Sequence, residues 1–194
     1  KTAYEISTRD WSSDVCSSDL LTLSGNITNS TLGLTVGGVG DTSISGIIGN
    51  GAGTLTKDGT GTLTLSGANS YTGLTTISAG VIRASNNTAL GTIAGGVTVA
   101  SGAALELSGG ITIGAEALTL NNAGVSSGGA LRNISGNNTY QGAITLSTNA
   151  VRINSDSGTL TLSGNITNST LGLTVGGVGD TSISGIIGNG AGTL

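Results

Sequence analysis

The 194-residue chain has no proline, phenylalanine, methionine or histidine, and its only cysteine (Cys16) and only tryptophan (Trp11) lie ahead of Leu21. Each gap removes a class of function. Without histidine, and without a cysteine beyond Leu20, neither Ser/His/Asp nor Cys/His nucleophilic machinery can be assembled from the body. Charged residues are only 8% of the chain and form no basic patch, which argues against nucleic acid as a partner. No run approaches the roughly 18 apolar residues of a membrane span. The N-terminus carries no apolar core of a secretory signal. Disorder is disfavoured too, because mean hydropathy is +0.26 while the net charge is only −4. From Leu21 onward four bases (Lys57, Arg83, Arg132, Arg152) face six acids (Asp41, Asp58, Glu106, Glu116, Asp156, Asp180). With aromatics at 2%, any core must be built from Leu, Ile, Val and Ala.

Residues 1–20, KTAYEISTRDWSSDVCSSDL, are unlike everything that follows. Back-translated, they resemble a sequencing adapter and its amplification primer read in frame. They are set aside as a non-native leader, expected to be disordered and poorly packed against the rest.

What remains is a repeat. LTLSGNITNSTLGLTVGGVGDTSISGIIGNGAGTL occupies 21–55 and recurs unchanged at 160–194, so that Leu160 repeats Leu21. The body, 21–194, therefore reads as one unit (21–159) and the start of a next (160–194). Within the unit L-x-L-S-G begins at Leu21, Leu63, Leu105 and Leu160, and S-G-x-N-[ST]-Y-x-G occurs at 66–73 and 135–142.

Short segments alternate apolar with small polar residues: TLTLS (62–66), GVTVAS (96–101), ALELS (104–108), ITI (111–113), ALTL (117–120), AITL (143–146) and AVRI (150–153). Alternation with period two predicts strands with one face buried and one wet. Glycine, asparagine and serine between them supply corners. The interval from Leu21 to Leu63, repeated from Leu63 to Leu105, fits two coils of about 21 residues each. The fold expected is all-β, a solenoid of roughly 20–22 residues per coil. Coils about 4.8 Å apart would stack about eight deep into a rod of roughly 40 Å.

Residues 53–85 carry a more specific signal. Leu55, Lys57, Gly59, Gly61, Leu63, Leu65, Gly67, Asn69, Tyr71, Gly73, Thr75, Ile77 and Gly80 fit a strand-repeat pattern, with Val81 and Ile82 where leucine is expected. The stretch resembles the passenger-associated repeat of bacterial autotransporters. The second copy, 130–153, keeps Asn-Thr-Tyr-x-Gly but lacks the Lys-x-Gly start and the later glycine. The resemblance implies a right-handed parallel β-helix on an exported bacterial surface protein, with a signal peptide and a C-terminal membrane barrel elsewhere in the parent chain. Its partners would be surface glycans, other cells and neighbouring coils. An adhesin or passive surface-layer spacer, with no enzymatic activity of its own, is the function it implies. Polysaccharide lyases and hydrolases share the β-helix and remain the alternative.

Candidate sites are few, and no cofactor or metal is expected. Glu106 and Glu116 are the only near pair of acids in the body. Separated by about half a coil, they should face different sides and read as isolated surface carboxylates. GGVGDTSIS (37–45) approaches a calcium-binding nonapeptide, but Asp41 falls one position early, so a glycine-rich turn is expected. Asn26, Asn29, Asn86, Asn133 and Asn137 lie in N-x-[ST] sequons and are expected to form corner ladders instead. Tyr71 and Tyr140, the only aromatics of the body, could contact glycans by stacking or close a corner by packing on the next coil.

Overall fold

The structure, a computed structural model, describes residues 20–28, 30–49 and 51–188. The looseness expected of residues 1–19 lies outside the described residues. The described chain is an all-β solenoid of eight turns, its strands paired parallel between successive coils.

Each coil crosses three faces. The first face is an eight-stranded sheet of Leu21–Leu23, Thr42–Ile44, Thr62–Leu65, Val81–Ala84, Ala104–Ser108, Leu131–Ser135, Val151–Ser155 and Leu173–Gly176. The third face is another, formed by Leu34–Val36, Leu55–Lys57, Thr75–Ile77, Val97–Val99, Leu118–Leu120, Ile144–Leu146, Ile166–Thr167 and Ile187–Gly188. Between them the middle face starts as the pair Ile27–Thr28 and Ile48–Gly49. It ends as a four-stranded sheet of Thr112–Ile113, Asn138–Tyr140, Thr159–Leu162 and Asp180–Ile183. In the third and fourth coils the middle face has no strand, only a bridge between Gly51 and Tyr71 followed by turns through residues 86–94.

Along most strands the alternation of the sequence becomes an alternation of burial. In Thr62–Leu65 the two leucines are fully buried and the two threonines are half-exposed. Parallel register then stacks like on like. One interior row of the first face reads Leu23, Ile44, Leu65, Ala84, Leu107, Asn133, Ser155. Its partner row runs Leu21, Thr42, Leu63, Ile82, Leu105, Leu131, Ile153, Val175. The thin interior holds no large side chain except Tyr71, Tyr140 and Lys57, which explains how a core can form without phenylalanine or methionine.

The second row also measures the coils. The opening coils are regular: Leu21 pairs with Thr42, Thr42 with Leu63, and Asn26 with the amide of Ile47, each one coil and 21 positions on. Later coils vary, the shortest running from Leu63 to Ile82 and the longest from Leu105 to Leu131. The long coil carries an insertion around the 3-10 turn Val125–Ser127. Six coils carry the row from Leu21 to Ile153, whereas the sequence repeat brings Leu21 back only at Leu160. The repeat thus overshoots a whole number of coils by about a third of one. Identical sequence therefore lands one face further round. Leu21–Leu23 lies on the first face and its copy, within Thr159–Leu162, on the middle face. Leu34–Val36 lies on the third face and its copy, within Leu173–Gly176, on the first. Local chemistry survives the shift: Ile47 N–H donates to Asn26 Oδ1 at 2.9 Å and Ile186 N–H donates to Asn165 Oδ1 at 3.0 Å, at different corners.

Candidate functional site

The motif of residues 55–80 is the first candidate, and its residues serve the stacking of coils two to four. Leu55, Leu63, Leu65 and Ile77 are core residues without exposed surface, and Thr75 is buried beside them. Lys57 occupies an interior row between Val36 and Ile77 and is 2% exposed. Its stem fills an aliphatic position while the ammonium reaches the corner, donating to Asp58 O at 2.8 Å and Gly59 O at 2.7 Å. Burial lowers its pKa, partly opposed by Asp58 and Asp41. Gly59 and Gly80 turn with φ of +78° and +66°, a region that side chains rarely adopt. Gly61, Gly67 and Gly73 sit so close to the preceding coil that a Cβ would strike its carbonyl oxygens at 2.1–2.4 Å. Asn69 ties three coils together: Ile48 N–H donates to its Oδ1 at 2.8 Å, and its Nδ2 donates to Ala89 O at 2.6 Å. Val81 and Ile82, the departures from the pattern, are both buried.

Of the two readings of the tyrosines, glycan stacking is the one that needs correction. Tyr71 and Tyr140 are both 0% exposed, so neither ring offers a face to a glycan. Tyr71 lies inside the middle corner with its hydroxyl 2.8 Å from Thr75 Oγ1, and Gly91 of the next coil rests on its ring. Tyr140 pairs in register with Ile113 and with Leu162, and its hydroxyl has no partner. Burial raises both phenol pKa values. The sequon asparagines divide. Asn26 and Asn137 accept from backbone amides of the next coil. Asn86 instead accepts from Thr88 N–H within its own turn. Asn133 is interior, donating to Ser155 Oγ and Ser157 O, and Asn29 lies outside the described residues. Asp41 also serves stacking, accepting from Thr62 N–H at 2.7 Å. Among the described residues no group of three or more His, Cys, Asp or Glu side chains is placed to hold a metal ion.

Glu106 and Glu116 are not isolated surface carboxylates: they are 5% and 2% exposed. Glu106 belongs to the outward row of the first face, between Arg83 and Arg132. Arg83 donates to its Oε2 through Nε at 2.9 Å and Nη2 at 2.8 Å, while Arg132 Nη1 reaches Oε1 at 3.3 Å. Arg132 Nε also donates to Asp156 Oδ2 at 2.6 Å, which holds the guanidinium pKa up. Both arginines are more than a third exposed, so the row contributes about 1 kcal/mol per pair at most. Both oxygens of the Glu106 carboxylate are thus occupied by arginine donors.

Glu116 is different. By register it extends the row Gly53, Gly73, Gly95, Gly142, Gly164, Gly185 at the corner into the third face, where, beyond Leu32 of the first coil, it alone has a side chain. Its Oε1 is buried without a partner, as is the hydroxyl of Thr92 one coil earlier. Burial pushes its pKa up to about 8. Beside it, where the middle face lacks strands, opens a cleft of about 390 Å³. Asn69, Asn87, Thr92, Ile93, Thr112 and Glu116 are among its walls. Sequence reasoning missed this corner, although one signal was available: aligning QGAITL (141–146) with AEALTL (115–120) sets Glu116 against Gly142.

A family model, the passenger-associated-transport-repeat, matches residues 55–84, the stretch from the third face of coil two to the first face of coil four. No curated protein and no solved structure matches the chain. The repeat and the parallel solenoid together fit an autotransporter passenger segment.

Proposed function

We propose that this chain is a segment of an exported, autotransporter-like passenger that acts as a non-catalytic, stiff rod for attachment to surfaces or glycans at the bacterial cell surface. The observation that carries this reading is the passenger repeat at 55–84, seated within an eight-turn parallel solenoid whose motif residues serve stacking. Stiffness follows from the construction. Every coil is hydrogen-bonded to its neighbours along at least two faces, and aliphatic rows fill the interior. Broad faces of threonine, serine and asparagine can then engage a surface through many weak contacts whose effects multiply.

A carbohydrate-active enzyme on the same fold gains no support from Glu106, which two arginines hold. The test is direct. The full chain should bind a subset of a glycan array or of target cells and leave pectin-like and other acidic polysaccharides intact. Turnover that disappears in Glu106→Gln would overturn the non-catalytic reading, and absence of binding would favour a passive spacer.

A further inference from the structure

We propose that the cleft at the broken middle face binds a primary ammonium group, with Glu116 as the counter-charge and Thr92 as a second acceptor. The inference rests on the cleft alone and is independent of the export and attachment reading.

The cleft presents an unmet demand. Glu116 Oε1 and Thr92 Oγ1 are both buried and without partners, on adjacent coils, and both residues line the same cleft. A buried acceptor without a donor costs about 1–3 kcal/mol, more if charged, so two at one site call for a donor from outside. Charge points the same way. Among the described residues Glu116 is the only ionisable side chain lining the cleft. Every base among the described residues is engaged elsewhere: Lys57 on backbone carbonyls, Arg83 and Arg132 on Glu106, Arg152 on Asn154. No described base is thus left to restore ionisation to Glu116, and a ligand cation would do so.

The choice of cation follows from the remaining groups. One carboxylate falls short of the oxygen set that calcium or magnesium takes. A primary ammonium carries three donors and no acceptor on a slender stem, which suits one carboxylate oxygen and one hydroxyl. Ile93 and the threonine methyls offer apolar walls to the stem, and about 390 Å³ is at the small end of ligand sites. Among the described residues the only rings are the two tyrosines, and both are buried, so none is placed for stacking a neutral sugar. The ammonium could belong to an amino sugar or to a lysine-like alkyl chain.

Titration calorimetry of the full chain would use Nα-acetyl-lysine amide and glucosamine, with their N-acetylated, uncharged counterparts as controls. At least one amine should bind while its acetylated counterpart does not; which one binds identifies the source. Because Glu116 holds its proton up to about pH 8, binding at pH 7 should release close to one proton, read from the enthalpy difference between two buffers. For the lysine analogue the competent fraction rises about fifty-fold between pH 6 and pH 8, and the affinity with it. Glu116→Gln should abolish binding while circular dichroism remains that of a folded solenoid, and Thr92→Val should weaken binding several-fold with proton release unchanged. Binding of neither amine at about 10 mM, on the order of the weakest specific affinities, would overturn the proposal. Equal binding of the acetylated controls, or full binding by the folded Glu116→Gln chain, would overturn it as well.

Discussion

Replacing Glu116 by glutamine should stabilise the protein near neutral pH and leave it unchanged in acid. Glu116 has an ordinary carboxyl pKa of 4.5 when the chain is unfolded and about 8 when it is folded, because burial disfavours the anion. The sign follows: a raised pKa means that the folded chain binds the proton more tightly. The stability this residue permits is complete below pH 4.5 and is lost as pH rises through about 8. Each pH unit in that window costs about 1.36 kcal/mol, so at pH 7 the loss is about 3 kcal/mol. Glutamine matches the protonated carboxyl in shape and titrates in neither state. The groups that sense Glu116 are Tyr71 and Tyr140, whose buried phenols stay neutral throughout this range. Urea unfolding followed by circular dichroism from pH 4 to pH 8 would check it. The difference between variant and parent should be near zero at pH 4, grow steadily, and reach about 3 kcal/mol at pH 7. Other carboxylates titrate alike in both proteins and cancel. Two parallel curves, or a variant less stable at pH 7, would refute the placement of Glu116 in a desolvated corner.

The two tyrosines give a paired test. Tyr71→Phe should cost about 1–2 kcal/mol because it strands buried Thr75 Oγ1. Tyr140→Phe, deleting an unpartnered hydroxyl, should be neutral or stabilising in the same unfolding experiment. Lys57→Ala leaves a void in an interior row and two carbonyls without their donor, and should cost roughly 2–4 kcal/mol in chemical denaturation. Asn69→Ala should cost about 2–3 kcal/mol, and hydrogen exchange should show Ile48 N–H losing protection first, since that amide donates to Asn69 Oδ1.

Much of the fold was legible in the sequence because its rules are local. The alternation of Leu63 and Leu65 with threonine fixed which side chains point inward, whatever sheet they join. The interval between the first two L-x-L-S-G strings marked two coils, as the stacking of Leu21, Thr42 and Leu63 shows. The Asn-Ser-Tyr-Thr-Gly stretch marked a corner. Its tyrosines could be read as a packed corner or as a wet stacking face, and the burial that decides between them comes from neighbouring coils. Glu106 and Glu116 were misplaced for a related reason: a lone carboxylate in sequence discloses neither an arginine in the next coil nor a roof over it. Both depend on residues a whole coil away in the chain.

The sharpest division lies in the duplicated stretch. Sequence alone determined its strands, its corners and the Asn–amide bond that closes each one, reproduced at Asn26 and Asn165. Only the tertiary structure decided which face each strand occupies, and it placed the two copies a third of a turn apart. The reason is cumulative. A strand's face depends on the summed length of every coil before it, including the long coil from Leu105 to Leu131 with its insertion, and no local preference encodes that sum. The same sum brought Glu116 into the glycine row and set it beside a gap in the middle face.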